Sequence, residues 1–225
     1  MEVHIANRPS AASATVRFDA GERLITESGA MIAMSDGMQV ETTSRTRGGG
    51  MMKGLKRMLS GENFFLNHFS ATRDGQEVIL GPKLLGDIIG HNLQHGSLVV
   101  QGSSWLAAAD GIDIDTTWQG LTSAMFSGEG MFWVKCSGQG QVLLNSFGGI
   151  YQVDVDGAYT VDTGHIVAFE DTLSFRLGKA GGSLIGSFLG GEGLVCKFSG
   201  TGRLWCQTHN PGTFGRLLGP KLKPR

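Results

Sequence analysis

Ser60-Gly61-Glu62, Ser127-Gly128-Glu129 and Gly190-Gly191-Glu192 are three copies of one short phrase, starting 67 and 63 residues apart. A phrase that recurs at nearly constant spacing marks a repeated structural unit. Its surroundings recur too. Upstream stands Gly54-Leu55, Gly120-Leu121 or Ser183-Leu184, followed by a short apolar stretch. Downstream, a strand-like run ends in Val78-Ile79-Leu80, Val142-Leu143-Leu144 or Leu204-Trp205-Cys206.

A second phrase supports the same period. The stretch from Ala30 to Val40 lines up with Ser104 to Ile114 at an offset of 74, which places Ala33 on Ala107 and Asp36-Gly37 on Asp110-Gly111. A weaker third copy runs from Val167 to Phe175. The division this implies is a first unit at 1–80, a second at 81–148, a third at 149–212 and a basic C-terminal tail at 213–225. Units of about 70 residues are marginal alone. No Ser/Pro-rich linker separates them, so one compact body is expected.

Most segments alternate with period two, as half-buried strands do. Met38, Val40 and Thr42 alternate with Gln39 and Glu41; Ile112 and Ile114 with Asp113 and Asp115; Val153 and Val155 with Asp154 and Asp156. Asp36-Gly37, Asp74-Gly75, Asp110-Gly111 and Asp156-Gly157 read as hairpin turns, because glycine accepts positive φ. The 36 glycines among 225 residues fall between short apolar runs without a Gly-X-Y period, which fits many turns and excludes collagen. Helix is scarce. Met51, Met52, Leu55, Met58 and Leu59 share one helical face, with shorter equivalents at 121–126 and 184–189. The fold class read from the residues is all-β with short connecting helices.

With 40% apolar and 17% charged residues, the chain can build a sizeable core, and disorder is not expected. A net charge of −1 gives no global bias toward nucleic acid or an anionic membrane. Cys136, Cys196 and Cys206 are odd in number and lack a Cys-x-x-Cys pair, which fits reduced thiols in a cytoplasmic protein. Neither a signal peptide nor an apolar run of about 18 residues is read in the sequence.

Three groups carry candidate chemistry. Arg45, Arg47, Lys53, Lys56 and Arg57 concentrate five cations within 13 positions around the methionine-rich helix. They suit a membrane surface or an anionic partner; the competing reading is a crossing helix with its methionines in the core. Glu62, Glu129 and Glu192 would suit metal or acid–base work if they converged. Their recurrence also has a structural account, in which Gly61, Gly128 and Gly191 end a helix and the glutamate opens a strand. His91 and His95 would lie roughly 13 Å apart on a strand, too far to share an ion. The nucleophile elbow and the phosphate loop are both missing, and Gly48-Gly49-Gly50 reads as a hinge. No catalytic residue, metal or cofactor is assigned, and the chain is not read as an enzyme.

Longer signatures carry a resemblance. They are Gly54 to Leu66, Asp115 to Leu121 with Phe126 to Gly130, Val161 to Glu170, and Gly191 to Val195. Together they resemble the bacterial and archaeal proteins related to the yeast mitochondrial "altered inheritance of mitochondria" protein 24. The resemblance spans nearly the whole chain in order. It implies three domains like the tryptophan RNA-binding attenuation protein, packed about a pseudo-three-fold axis, with trimers forming a nine-lobed ring. It supplies no catalytic residues. His68, Lys135 and Lys197 occupy matching places in the three units, so Lys135 and Lys197 are an anion-contacting row or else solvent-facing strand lysines. The expected function is a non-catalytic, ring-forming binding or scaffold protein, associated with a membrane or protein partner. The alternative is a ring that binds RNA or a small ligand. Strong nucleic-acid binding is not expected, since no basic triplet repeats across the units.

Overall fold

The computed structural model describes residues 1–43, 65–116, 132–179 and 194–222. Three antiparallel sheets account for the body. The first orders its strands β1 (Glu2–Ala6), β2 (Ser13–Phe18), β7 (Gln76–Leu80) and β4 (Met31–Met34). The second runs β5 (Gln39–Thr43), β6 (Leu66–Ser70), β3 (Arg23–Glu27), β10 (Trp105–Ala109), β13 (Gly140–Asn145) and β8 (Ile88–Leu93). The third runs β11 (Ile112–Asp115), β12 (Trp133–Gly138), β9 (Ser97–Gln101), β15 (Ile166–Glu170), β17 (Leu194–Gln207) and β14 (Ile150–Asp162). β16 (Ser174–Lys179) lies against the first half of β17. The chain is all-β, with one α-helix among the described residues, α1 (Pro211–Leu218).

The sheets cross the sequence divisions near 80 and 148. In the second sheet β3 pairs with β10, and in the third β9 pairs with β15. Their inner strands are buried on both faces. Trp105 and Ala108 join one core cluster, with Leu98, Val100 and Trp205; Leu106 and Ala107 join another, with Phe18, Leu24, Phe69 and Leu143. The bulge between Trp105 and Ala107 lets two consecutive residues face the same core. A third cluster, built on Val99, Trp133, Phe169 and Phe198, fills the far side of the third sheet. At ~25 cal/mol per Å2 of apolar surface removed from water, each fully buried large side chain contributes on the order of 2 kcal/mol.

Asp156-Gly157 is not a turn. β14 runs straight through it, with Gly157 opposite Gly200, both at positive φ (102° and 118°). The facing glycines take up positive φ while the ladder of the long two-stranded ribbon stays in register. Asp36-Gly37 and Asp74-Gly75 do carry positive φ at their glycines (78° and 74°). Ile112 and Ile114 are buried and Asp113 exposed, as alternation requires, but Val40 is exposed although Met38 is buried. β5 lies at the outer edge of its sheet, so packing covers it less completely. A helix leads into the tail: α1 begins at Pro211, capped by the Asn210 side chain, which accepts a bond from the Thr213 amide at 3.1 Å. The expected helices at 51–59, 121–126 and 184–189 lie outside the described residues.

Candidate functional site

The same joint occurs twice inside the chain. At the first, Ala107, Ala108 and Ala109 of β10 stand opposite Thr26, Ile25 and Leu24 of β3. At the second, Ala168, Phe169 and Glu170 of β15 stand opposite Val100, Val99 and Leu98 of β9. Each incoming strand also carries the same bulge against its other neighbour, between Trp105 and Ala107 on β13 and between Ile166 and Ala168 on β17.

β4 has that bulge as well, between Met31 and Ala33 on β7. It is therefore the equivalent of β10 and β15. Yet it ends its sheet, with no strand on its outer side among the described residues. Register gives the residue correspondence. Ile32 matches Leu106 and Val167; Met34 matches Ala108 and Phe169. Ile32 is 62% exposed, whereas Leu106 and Val167 are 0% exposed. Met31 and Met34 are exposed too.

The complementary edge sits at the other end of the chain. Ile25 pairs with His68, Val99 with Lys135 and Thr160 with Lys197, so the second half of β14 is the equivalent of β3 and β9. Among the described residues no strand pairs with its outer side, and Tyr159, matching the buried Leu24 and Leu98, is exposed. Among the described residues, one edge toward each end of the chain thus lacks the neighbour that its internal copies have. Sheet edges of this kind present unpaired N–H and C=O groups and are templates for strand addition. Sequence reading missed Ile32, Met34 and Tyr159, because an edge is defined by an absent neighbour and not by residue type. The signal within reach was the uncharged Met31–Met34 stretch, aligned with a Trp105–Ala109 stretch that reads as core.

The sequence candidates fall as follows. Arg45, Arg47, Lys53, Lys56, Arg57, Gly61, Glu62, Gly128, Glu129, Gly191 and Glu192 lie outside the described residues. Lys135 is half-buried, with its ammonium 3.8 Å from the Asp171 carboxylate. Lys197 is exposed. The two are not adjacent: Lys135 leads across Val99 and Phe169 to Leu204, seven residues along β17 from Lys197. That is about 23 Å at ~3.3 Å per residue. His68 lies 3.0 Å from the Thr43 hydroxyl.

Burial governs the three cysteines and His91. Burial pushes the Cys136 and Cys196 thiols up to about 12 and Cys206 to about 11. His91 packs edge-on against Trp205 at 5.0 Å, and burial, with Arg203 nearby, holds it below its ordinary value. Among the described residues no group of three His, Cys, Asp or Glu could hold a metal ion, and no helix is long and apolar enough to cross a membrane.

Residues 3–209 match the family described as mitochondrial biogenesis AIM24. The chain belongs to the AIM24 family. This AIM24 protein is 27% identical over 206 residues to an uncharacterized protein of Streptococcus pyogenes serotype M6, covering 88% of this chain and 82% of the relative. Its fold is similar to the crystal structure of a Streptococcus pyogenes protein, with a TM-score of 0.79 at 22% identity, covering 98% of this AIM24 chain and 99% of the other.

Proposed function

We propose that this AIM24 protein is a non-catalytic assembly scaffold whose chains join head to tail, the β4 edge of one against the β14 edge of the next, closing as a ring of three. The single observation that carries it is the pair of free edges whose internal copies are fully buried joints. Transferring the internal register sets Ala33 opposite Val161, Met34 opposite Thr160 and Ser35 opposite Tyr159 of the neighbouring copy. Such a contact uses different surfaces on the two partners, and it closes into a ring when its rotation repeats.

The three-unit reading, with its likeness to the tryptophan RNA-binding attenuation protein, belongs to this proposal. It is supported by recurring strand sets: β2, β3, β4, β5, β6 and β7; then β8, β9, β10, β11, β12 and β13; then the halves of β14, β15, β16 and the halves of β17. In each set the joint strand bulges at the same place. Three buried, unpaired thiols fit a reducing cytoplasm.

The test is a register-specific cross-link. Directly opposed strand residues have Cα atoms about 4.5–5.5 Å apart, within disulfide reach. A chain carrying both Met34→Cys and Thr160→Cys, mildly oxidised, should give covalent trimers on a denaturing gel, and each single variant should not. Sedimentation equilibrium should give about three times the 23.9 kDa chain mass. A stable monomer at micromolar concentration, with no cross-link, overturns the proposal.

A further inference from the structure

The last eighteen residues differ in chemistry from everything before them. Residues 1–207 hold fifteen Lys and Arg against twenty Asp and Glu, a net −5; residues 208–225 hold Arg216, Lys221, Lys223 and Arg225 with no acid, a net +4. The nearly neutral chain is therefore an acidic body with a basic end.

The same end is apolar on its surface. No residue of α1 is buried. Phe214, Leu217 and Leu218 follow i, i+3, i+4 spacing, and Leu222 follows one turn later; all four are exposed, Leu217 by 65% and Leu222 by 61%. The helix is nonetheless fixed at its root. The Phe214 ring packs 5.2 Å from Phe147, which packs 5.2 Å from His209.

A second apolar group meets it there. The loop with exposed Leu84 and Leu85 is tied to the turn after Phe147, where the Gly148 amide donates to the Leu85 carbonyl at 3.0 Å. Leu85 and Phe214 thus come to one turn, and Leu217, Leu218 and Leu222 continue from Phe214 as exposed residues, with Arg216 and Lys221 in the same segment.

We infer that this C-terminal patch docks the protein on an anionic lipid bilayer. Leucine and phenylalanine enter the boundary between headgroups and acyl chains, and Arg216 and Lys221 face the anionic headgroups. The charge division selects this occupant. The tail holds four cations and no acid, so its own charge complements anionic headgroups. Within the ring proposed above, rotational symmetry puts the three tails on one face, and engagement of all three multiplies a weak single contact by roughly 10²–10⁴. The docking itself does not depend on the ring; only its avidity does.

The test floats full-length protein with vesicles of phosphatidylcholine alone or mixed with phosphatidylglycerol, at low salt and at about 150 mM salt. Wild type should float with the mixed vesicles only, and less at the higher salt. Leu217→Ser with Leu222→Ser should cut the bound fraction at least tenfold. So should Gln at Arg216, Lys221, Lys223 and Arg225. Both variants should keep wild-type mass in sedimentation, since Arg216, Leu217, Lys221 and Leu222 are exposed. Wild type that stays unbound to anionic vesicles at low salt overturns the inference. So does either variant floating as well as wild type, or a variant whose only defect is dissociation of the assembly, which would make the patch a contact between copies. Wild type that floats while sedimenting as a monomer keeps the docking and sinks the ring.

Discussion

Arg8 grips Asp87 across 79 positions of sequence, its Nε and an Nη donating to the two carboxylate oxygens at 2.7 and 2.9 Å. Asp87 is 1% exposed, so its carboxylate depends on this guanidinium and on the Ile88 amide at 2.9 Å. The pair staples the loop before β2 to the entry of β8.

Arg8→Met should therefore cost about 2–3 kcal/mol, because it leaves a buried carboxylate without its cationic donor. For a chain of this size that is roughly a 4–10 °C fall in melting temperature. Arg17→Ala is the control. Its pairing with Glu77, at 3.5 Å and in the open, should be worth under about 1 kcal/mol. Equal losses from the two substitutions, read by urea titration, would refute the distinction.

Ile32→Lys should abolish assembly and leave the monomer folded. The side chain points into water in a single chain, but its counterparts Leu106 and Val167 are fully covered in the internal joints. A buried, unpaired ammonium at that place costs several kcal/mol. Light scattering should report a single chain mass with an unchanged circular dichroism spectrum. An intact assembly would mean that β4 is not the joint.

The three cysteines should ignore thiol reagents in the native protein. With thiols raised to about 12, 12 and 11, at pH 7.5 only on the order of one molecule in 10³ to 10⁵ carries a thiolate at each site. Burial blocks the reagent as well. All three should react in about 6 M guanidinium, so alkylation rate becomes a clock for unfolding. Rapid labelling of even one native thiol would contradict the packing around it.

His91 should make stability depend on pH. Its folded value is depressed, chiefly by burial, so the unfolded chain binds the proton more readily. The stability it contributes is complete above about 6.5, the unfolded value, and is lost as pH falls from there toward the folded value. His91→Phe, which keeps a ring against Trp205, should flatten that part of the curve. Urea midpoints between pH 5 and 7.5 decide it: parallel curves for the two proteins would rule His91 out.

Much of the architecture was written in repetition. Ala33 and Ala107, aligned as letters, occupy the same step beyond the same bulge, and Val78–Leu80 and Val142–Leu144 lie at equivalent register. Local chemistry succeeded where it was decisive, as at Ile112 and Ile114. It failed where the answer was non-local. Asp156-Gly157 has the composition of a turn, but its partner Gly200 keeps the ribbon continuous. Ile32 and Leu106 look alike in sequence, and only the absence of a neighbouring strand separates them. The helix at Pro211 had its signals, an Asn cap and a proline at the first turn, yet its short length hid them beside the tail's charge.

Because β4 and β14 are different surfaces, a chain defective in one still offers the other. An Ile32→Lys chain would take a seat against a normal β4 edge and present nothing to the β14 edge of the next chain. It would act as a chain terminator. In a mixed population forming the proposed ring of three, a minority of such subunits would poison a majority of rings, since every joint is needed to close one. Loss of one edge would then be dominant over the normal copy, whereas a chain too damaged to fold would simply drop out.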